Sequence, residues 1–104
     1  MPQFDVYTNP NPDSQQKIPY FVDIQADLLD NLATRVVVPL YQQGNIVNLL
    51  QQLNPTVTIE NELFILSIAE LAAIPFTYLG TPISNIQDER EAIVAAVDLL
   101  ITGI

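Results

Sequence analysis

The side chains in this sequence that could take part in chemistry are mainly carboxylates. The chain has 12 Asp and Glu residues, three Lys and Arg, and neither His nor Cys. Without imidazole and thiol groups, nucleophile–imidazole pairs and the usual zinc sites are excluded. Asp27 and Asp30 could perform acid–base catalysis or bind a hard cation, but a turn-forming role already explains both residues. We therefore expect no catalytic residues, no metal, no cofactor and no enzyme activity.

The formal net charge of −9 argues against direct contact with nucleic acid. Nucleic-acid-binding proteins neutralise phosphates with clustered cations, and this sequence offers Lys17, Arg35 and Arg90. An anionic membrane surface is disfavoured for the same reason, and the sequence has no segment typical of a signal peptide or a membrane span. We expect a soluble, cytoplasmic protein in which both Arg residues pair with the surplus carboxylates.

One long helix is predicted at residues 84–104. Ser84 and Gln87 fit a capping box, which would start the helix near Asn85. An apolar stripe follows at helical spacing and would face a core or a partner. Its members are Ile86, Ile93, Val97 and Leu100.

The helix is predicted to end at Gly103, because glycine readily adopts the left-handed conformation after a last turn. Two interpretations of the final residue stay open. Ile104 could fold back as the hydrophobic contact that often accompanies such an ending. Alternatively, its carboxylate at the negative end of the helix dipole could attract a partner's arginine, since the last fourteen residues contain no Lys or Arg.

Before this helix, short strand patterns alternate with turns. Strands are predicted at residues 3–8, 18–25, 35–41, 55–60, 62–67 and 74–79, with one helical turn at 68–73. Residues 9–17 are rich in turn formers, and residues 42–53 are compatible with a short helix or an irregular loop. This order suggests a mostly β protein, a small twisted antiparallel barrel with a helix attached, in one domain spanning residues 1–104.

Leu28 and Leu29 stand in the otherwise polar connection after the second predicted strand. They are compatible with a minor core contact under the loop or with an exposed interaction site. The hydrophobic fraction of the chain is 49%, which a domain of this size does not bury easily. An exposed apolar patch and a homodimer are therefore expected.

The chain resembles the CcdB family of plasmid and chromosomal toxins in the segments FDVYTN, YFVDIQADLLD, RVVVPL, IPFTYLG and a final Gly-Ile. The resemblance runs over essentially the whole chain. It implies an SH3-like antiparallel barrel, related to that of MazF, with a small extra sheet and a C-terminal helix, assembled as a homodimer. It also implies a non-enzymatic toxin that binds the A subunit of bacterial DNA gyrase, traps gyrase on cleaved DNA and is neutralised by a CcdA-like antitoxin.

In that family, gyrase binding centres on the end of the C-terminal helix and on an apolar pair after the second strand. Matched by position, the resemblance assigns gyrase binding to Leu28, Leu29, Asp98, Thr102, Gly103 and Ile104. The family pattern has a tryptophan in place of Thr102, where it stacks on a gyrase arginine, and such an anchor is typically worth about 2 kcal/mol. Asp98 and the Ile104 carboxylate could pair with the same arginine instead.

Two other functions are compatible with the sequence. The threonine at position 102 suggests a homologue that still binds antitoxin but has lost toxicity. The shared barrel suggests a MazF-type ribonuclease, although such an enzyme needs cations to stabilise the developing phosphorane charge. For any of these toxins we expect an antitoxin segment that carries Lys and Arg and folds on binding, with contacts at residues 9–17 and 42–53.

Overall fold

The structure, a computed structural model, describes residues 3–42 and 52–103. Within these residues the chain forms a nearly closed antiparallel barrel followed by one α-helix, which confirms the predicted fold class. The strands and the helix are β1 (Asp5–Thr8), β2 (Tyr20–Asp23), β3 (Thr34–Gln42), β4 (Thr56–Ile59), β5 (Glu62–Leu66), β6 (Ala72–Pro75), β7 (Ser84–Asn85) and α1 (Arg90–Thr102). Short 3₁₀ helices cover Asp27–Leu29, Ile68–Glu70, Phe76–Tyr78 and Gln87–Glu89. Most of the predicted stretch 42–53 lies outside the described residues.

The long strand β3 organises the sheet because three strands pair with it. Residues 37–40 pair with β2 on one edge. On the other edge, residues 34–37 pair with β6 and residues 40–42 pair with β5. The sheet order is therefore β4-β5-β3-β2-β1-β7, with β6 attached to β3. With partners on both edges, β3 is a central strand of the sheet, and its β-branched sequence is typical of a strand that is also covered on both faces.

Two apolar clusters lie on the two faces of β3. Val38 and Leu40 belong to the main core, whereas Val37 packs with Tyr7 and Leu79 in a smaller cluster. Helix α1 covers the main core through two fully buried side chains, Ile93 and Ala96. The remaining buried members of the main core are Phe4, Val6, Val22, Val57, Ile59, Phe64, Leu66, Ile68 and Ile86.

The turn between β4 and β5 uses a left-handed backbone. Ile59 pairs with Glu62, leaving Glu60 and Asn61 as a two-residue loop with φ values of 52° and 67°. Two consecutive positive φ angles define the tight hairpin turn whose twist matches antiparallel strands. Asn61 is therefore well placed, because asparagine tolerates this conformation better than most residues.

The predicted capping box at Ser84 is wrong. Ser84 and Asn85 form β7 and pair with β1, opposite Val6 and Asp5, and α1 begins only at Arg90. The backbone N–H of Gln87 instead donates to the Asn85 side-chain oxygen, at 2.9 Å. The backbone groups of β7 form hydrogen bonds with β1, at the other end of the chain. This long-range pairing is favoured over the local hydrogen bonds of a capping box.

The predicted strand at residues 74–79 is also partly wrong. Strand β6 starts earlier, at Ala72, and ends at Pro75, after which Phe76–Tyr78 form a 3₁₀ turn. Proline has no N–H with which to extend the ladder. The Phe76 N–H turns towards the carbonyl of Ala33, at 3.0 Å, and so connects this turn to the segment that precedes β3.

Candidate functional site

The leucine turn, which we define as Asp27–Leu29, lies between β2 and β3 and projects apolar side chains into solvent. The exposed fraction of Leu28 is 90%, and that of Leu29 is 45%. The core contact that was one interpretation of this pair is therefore not observed, whereas the other interpretation, an exposed interaction site, stays a prediction. Nearly complete exposure of a leucine has no stabilising value, which makes Leu28 a candidate for contact with a partner.

A buried ion pair lies beneath the leucine turn. Nε of Arg35 donates to Oδ2 of Asp23 at 2.7 Å, with both side chains almost completely buried. Nη1 of the same guanidinium donates to Oδ1 of Asp30 at 2.7 Å, just after the turn. One cation on β3 thus connects the end of β2 to the far side of the turn.

Gln25 closes a second set of contacts around the turn. Its Nε2 donates to the carbonyl of Leu29 at 3.0 Å, and its Oε1 accepts the N–H of Val36 at 3.0 Å. The Gln25 backbone N–H donates to the Asp23 carboxylate at 3.0 Å. The amide side chain therefore bridges the turn to β3, with each polar end matched to a partner of the correct type.

The electrostatics of this network follow from its burial. Burial raises the pKa of the Asp23 carboxyl, and hydrogen bonds from Arg35 and from the Gln25 N–H oppose that rise. Arginine stays protonated in proteins, so the Asp23 carboxylate keeps a cationic partner within a pair that is shielded from solvent. Such a pair specifies geometry more than it adds stability.

Helix α1 contributes the second exposed apolar surface. Val94 and Ile101 have exposed fractions of 40% and 71%. Leu100, predicted as part of the apolar stripe, is 36% exposed, whereas Ile93 is buried and Val97 packs against the core. The stripe therefore faces the core at the start of the helix and reaches solvent at its end.

The helix ends as the sequence predicted. Gly103 adopts the left-handed conformation with φ 77°, and its N–H donates to the carbonyl of Leu99 at 3.0 Å. Thr102 Oγ1 donates to the carbonyl of Asp98 at 2.6 Å. Thr102 and Gly103 are both exposed, and Ile104 lies outside the described residues. The two interpretations of Ile104 therefore stay open.

A shallow apolar groove connects α1 to the strand that leads into the leucine turn. Its volume is about 130 Å³, and its lining includes Ile24 and Asp98. Phe4 and Val97 also line it. Asp98 and Ile24, which stands four positions before Leu28, thus line the same groove.

Comparison with known protein families shows which family the chain belongs to. The sequence pattern of the CcdB protein family matches residues 3–103 of the chain. The chain belongs to the CcdB family. Membership of this family identifies it as the toxin component of a toxin–antitoxin system.

Asp27 and Asp30 of this CcdB-family toxin, the two carboxylates considered for catalysis, make structural contacts. Asp27 accepts the backbone N–H of Gln3 at 2.7 Å, and Asp30 accepts Arg35. Among residues 3–42 and 52–103 there is no group of three or more potential metal ligands. Within the same described residues, no helix has the length and apolar character needed to span a membrane.

Sequence reasoning missed some of the residues that shape this surface of the CcdB-family protein. Leu32 and Phe76 are both about half exposed, and the backbone bond from Phe76 to Ala33 brings their segments together. The strand pattern puts Gln25 on the same face as Asp23 but indicates no role for it. Its alternation with Asp23 on an otherwise apolar strand, opposite an arginine-bearing strand, was the available signal.

Proposed function

We propose that this CcdB-family toxin binds the A subunit of bacterial DNA gyrase and traps the gyrase–DNA cleavage complex. The observation that carries the proposal is the 90% exposure of Leu28 on a turn that is hydrogen-bonded on both sides. Apolar anchors held in place before binding lose little conformational entropy on association. The end of α1, with Asp98, Thr102 and Gly103, supplies the second part of the proposed surface.

The proposed mechanism needs no chemistry from the toxin itself. Gyrase cleaves DNA, and a protein wedged against its A subunit has only to stabilise the cleaved state relative to the resealed one. Asp98 provides a negative charge on the exposed side of α1, and α1 has no basic residue in its last turn. A gyrase arginine near this end would meet the helix dipole and a carboxylate together.

We also propose that the toxin works as a homodimer and is neutralised in the cytoplasm by a CcdA-like antitoxin, a role suited to plasmid maintenance. The net charge of −9 favours an antitoxin segment rich in Lys and Arg. The affinity of this complex should therefore fall as ionic strength rises. An affinity that is indifferent to salt would contradict the electrostatic part of this proposal.

The test is a gyrase cleavage assay with supercoiled plasmid, ATP and the purified chain. We expect linear DNA to accumulate with the intact chain, and to be lost when Ile104 is deleted or when Leu28→Ser is introduced. Ile83→Ser is the matched control, because Ile83 is 44% exposed but lies outside the proposed surface. If gyrase is unaffected by the intact chain, the proposed function is wrong.

A further inference from the structure

We infer that Gln25 and Arg35 are positioning residues, which hold the leucine turn (Asp27–Leu29) in its exposed conformation for partner binding. This inference rests on the proposed gyrase function for its consequence, but its structural part can be tested without gyrase. The conformation of the turn needs such support because its own side chains do not stabilise it. The turn is three residues long, and none of its side chains is buried, so it gains no packing energy of its own.

The turn's internal hydrogen bonds are few and of the kind that open readily. Leu29 N–H donates to the carbonyl of Ala26 at 2.9 Å, and Asp30 N–H donates to that of Asp27 at 3.1 Å. An isolated turn of this length does not persist in water, because closing it orders several residues for each hydrogen bond gained. Its order must therefore come from contacts with the barrel.

Those contacts converge on the two ends of the turn. The Gln3 N–H donates to the Asp27 side chain at the start of the turn, and Gln25 Nε2 donates to the Leu29 carbonyl at its end. Arg35 then connects Asp30 to the buried Asp23. Leu28, between the anchored ends, has no route back to the core and remains in solvent.

Gln25 is suited to this role because its amide is bifunctional. The Oε1 atom receives the Val36 N–H from β3, while the opposite end of the amide donates to the turn. A glutamate in its place would keep an acceptor for Val36 but would set a second acceptor against the Leu29 carbonyl. Gln25→Glu therefore removes the contact with the turn while keeping the size of the side chain.

The experiment is a double-mutant cycle between Gln25→Glu and Leu28→Ala, measured as the affinity of the full chain for the gyrase A subunit. We expect Gln25→Glu alone to weaken binding by about tenfold and to have little further effect once Leu28 is alanine. Such non-additivity is the mark of a residue that acts through Leu28. Additive losses would overturn the inference, since a general structural defect would weaken both backgrounds alike. Gln87→Glu is the charge-matched control on the exposed start of the helical segment.

Amide hydrogen exchange supplies the readout that does not involve gyrase. Faster exchange confined to Leu29, Asp30 and Leu32 in Gln25→Glu supports the inference, and unchanged exchange at these amides overturns it. If Gln25→Glu does not fold, Arg35→Lys is used in the same two measurements, because it keeps the charge but loses the planar fork. If the wild-type chain does not bind gyrase, the proposed function fails, and the exchange result still decides whether the network holds the turn.

Discussion

Nε of Arg35 lies 2.7 Å from Oδ2 of Asp23, and the side chains are 1% and 0% exposed. The free-energy cost of burying a charge to this extent is offset only by its oppositely charged partner. We predict that Arg35→Met lowers the free energy of unfolding by about 3–5 kcal/mol, because it leaves the Asp23 carboxylate buried and unpaired. Urea unfolding at neutral pH measures this loss.

Replacing both members of the pair is the control for that prediction. In the double variant Arg35→Met with Asp23→Leu, no uncompensated charge remains, and we expect much of the lost stability to return. A double variant as unstable as the sum of the two single variants would contradict the explanation. It would mean that packing, rather than charge, dominates at this site.

Two buried tyrosines are predicted to respond differently to loss of their hydroxyl groups. Tyr41 donates to Glu70 Oε2 at 2.8 Å, so Tyr41→Phe should cost about 1–2 kcal/mol. The Tyr7 hydroxyl has no hydrogen-bond partner among residues 3–42 and 52–103. Tyr7→Phe should therefore be neutral or stabilising, since it removes an unsatisfied buried group. Paired thermal unfolding of the two variants tests this, and equal losses would contradict it.

The same two tyrosines should make the toxin lose stability at alkaline pH. Desolvation by burial raises the pKa of both Tyr7 and Tyr41 to about 12, from the ordinary value of 10.0. Above pH 10 the unfolded chain releases these protons first. The free energy of unfolding should then fall between about pH 10 and pH 12, by on the order of 2 kcal/mol for each tyrosine.

Absorbance titration of tyrosinate checks this pH dependence. In the folded protein Tyr7 and Tyr41 should ionise near pH 12, and Tyr41→Phe should remove one of these two ionisations. Burial also raises the pKa of Tyr20 above 10.0, so Tyr20 is a third, separate ionisation in the titration. Stability measured over the same range should decline less steeply in Tyr7→Phe than in the wild type. A decline of the same slope in the two proteins would argue against Tyr7 as a source of the effect.

The start of the C-terminal segment provides a prediction that compares Asn85, whose side chain makes three hydrogen bonds, with Ser84, the capping residue that the sequence predicted. Asn85 accepts the Gln87 N–H and donates to the Gln3 carbonyl and the Asp5 carboxylate, at 3.1 Å and 3.0 Å. We predict that Asn85→Ala costs about 1–2 kcal/mol, whereas Ser84→Ala costs less than about 0.5 kcal/mol. Chemical denaturation measures the free energy of unfolding of both variants. A larger loss in Ser84→Ala than in Asn85→Ala would contradict this prediction and favour the capping box.

Gly80 and Gly103 allow a matched test of the helix end. Gly103 has a φ of 77°, whereas Gly80 has no such requirement, and a methyl group added at either position would meet no atom within 4 Å. Gly103→Ala should therefore cost about 1 kcal/mol locally and loosen the last turn of α1, whereas Gly80→Ala should be tolerated. On the proposed function, only Gly103→Ala should weaken gyrase binding. Equal binding by both variants would remove Gly103 from the proposed surface.

Several elements could be predicted from the sequence because local rules and tertiary context agree on them. The β-branched run of β3, the left-handed turn at Asn61 and the glycine that ends α1 each have one dominant physical cause. The start of α1 could not be predicted, since Ser84 satisfies a local capping rule while its backbone pairs with a strand at the opposite end of the chain. The start of β6 was missed because its pairing with β3 is set by the barrel.

The candidate site also has features that the sequence indicated and features that it did not. The exposure of Leu28 was one of two open interpretations, because sequence alone does not say whether a turn packs against its barrel. The network below it was missed, since the alternation of Asp23 and Gln25 indicates a shared strand face but not that the pairing of β2 with β3 brings Arg35 to them. The roles of Leu28, Leu29, Asp98, Thr102, Gly103 and Ile104 in gyrase binding remain predictions.

The pairing of β1 with β7 has a consequence for the synthesis of the toxin on the ribosome. Val6 and Ser84 are register partners, so β1 keeps an open edge until almost the entire chain has been translated. Contacts of such high sequence separation form late and slowly. The segment that completes the barrel also leads directly into α1, which carries the exposed helix end. We therefore expect the barrel to close only once the segment that leads into α1 has been synthesised, so that barrel closure and display of the helix end occur together.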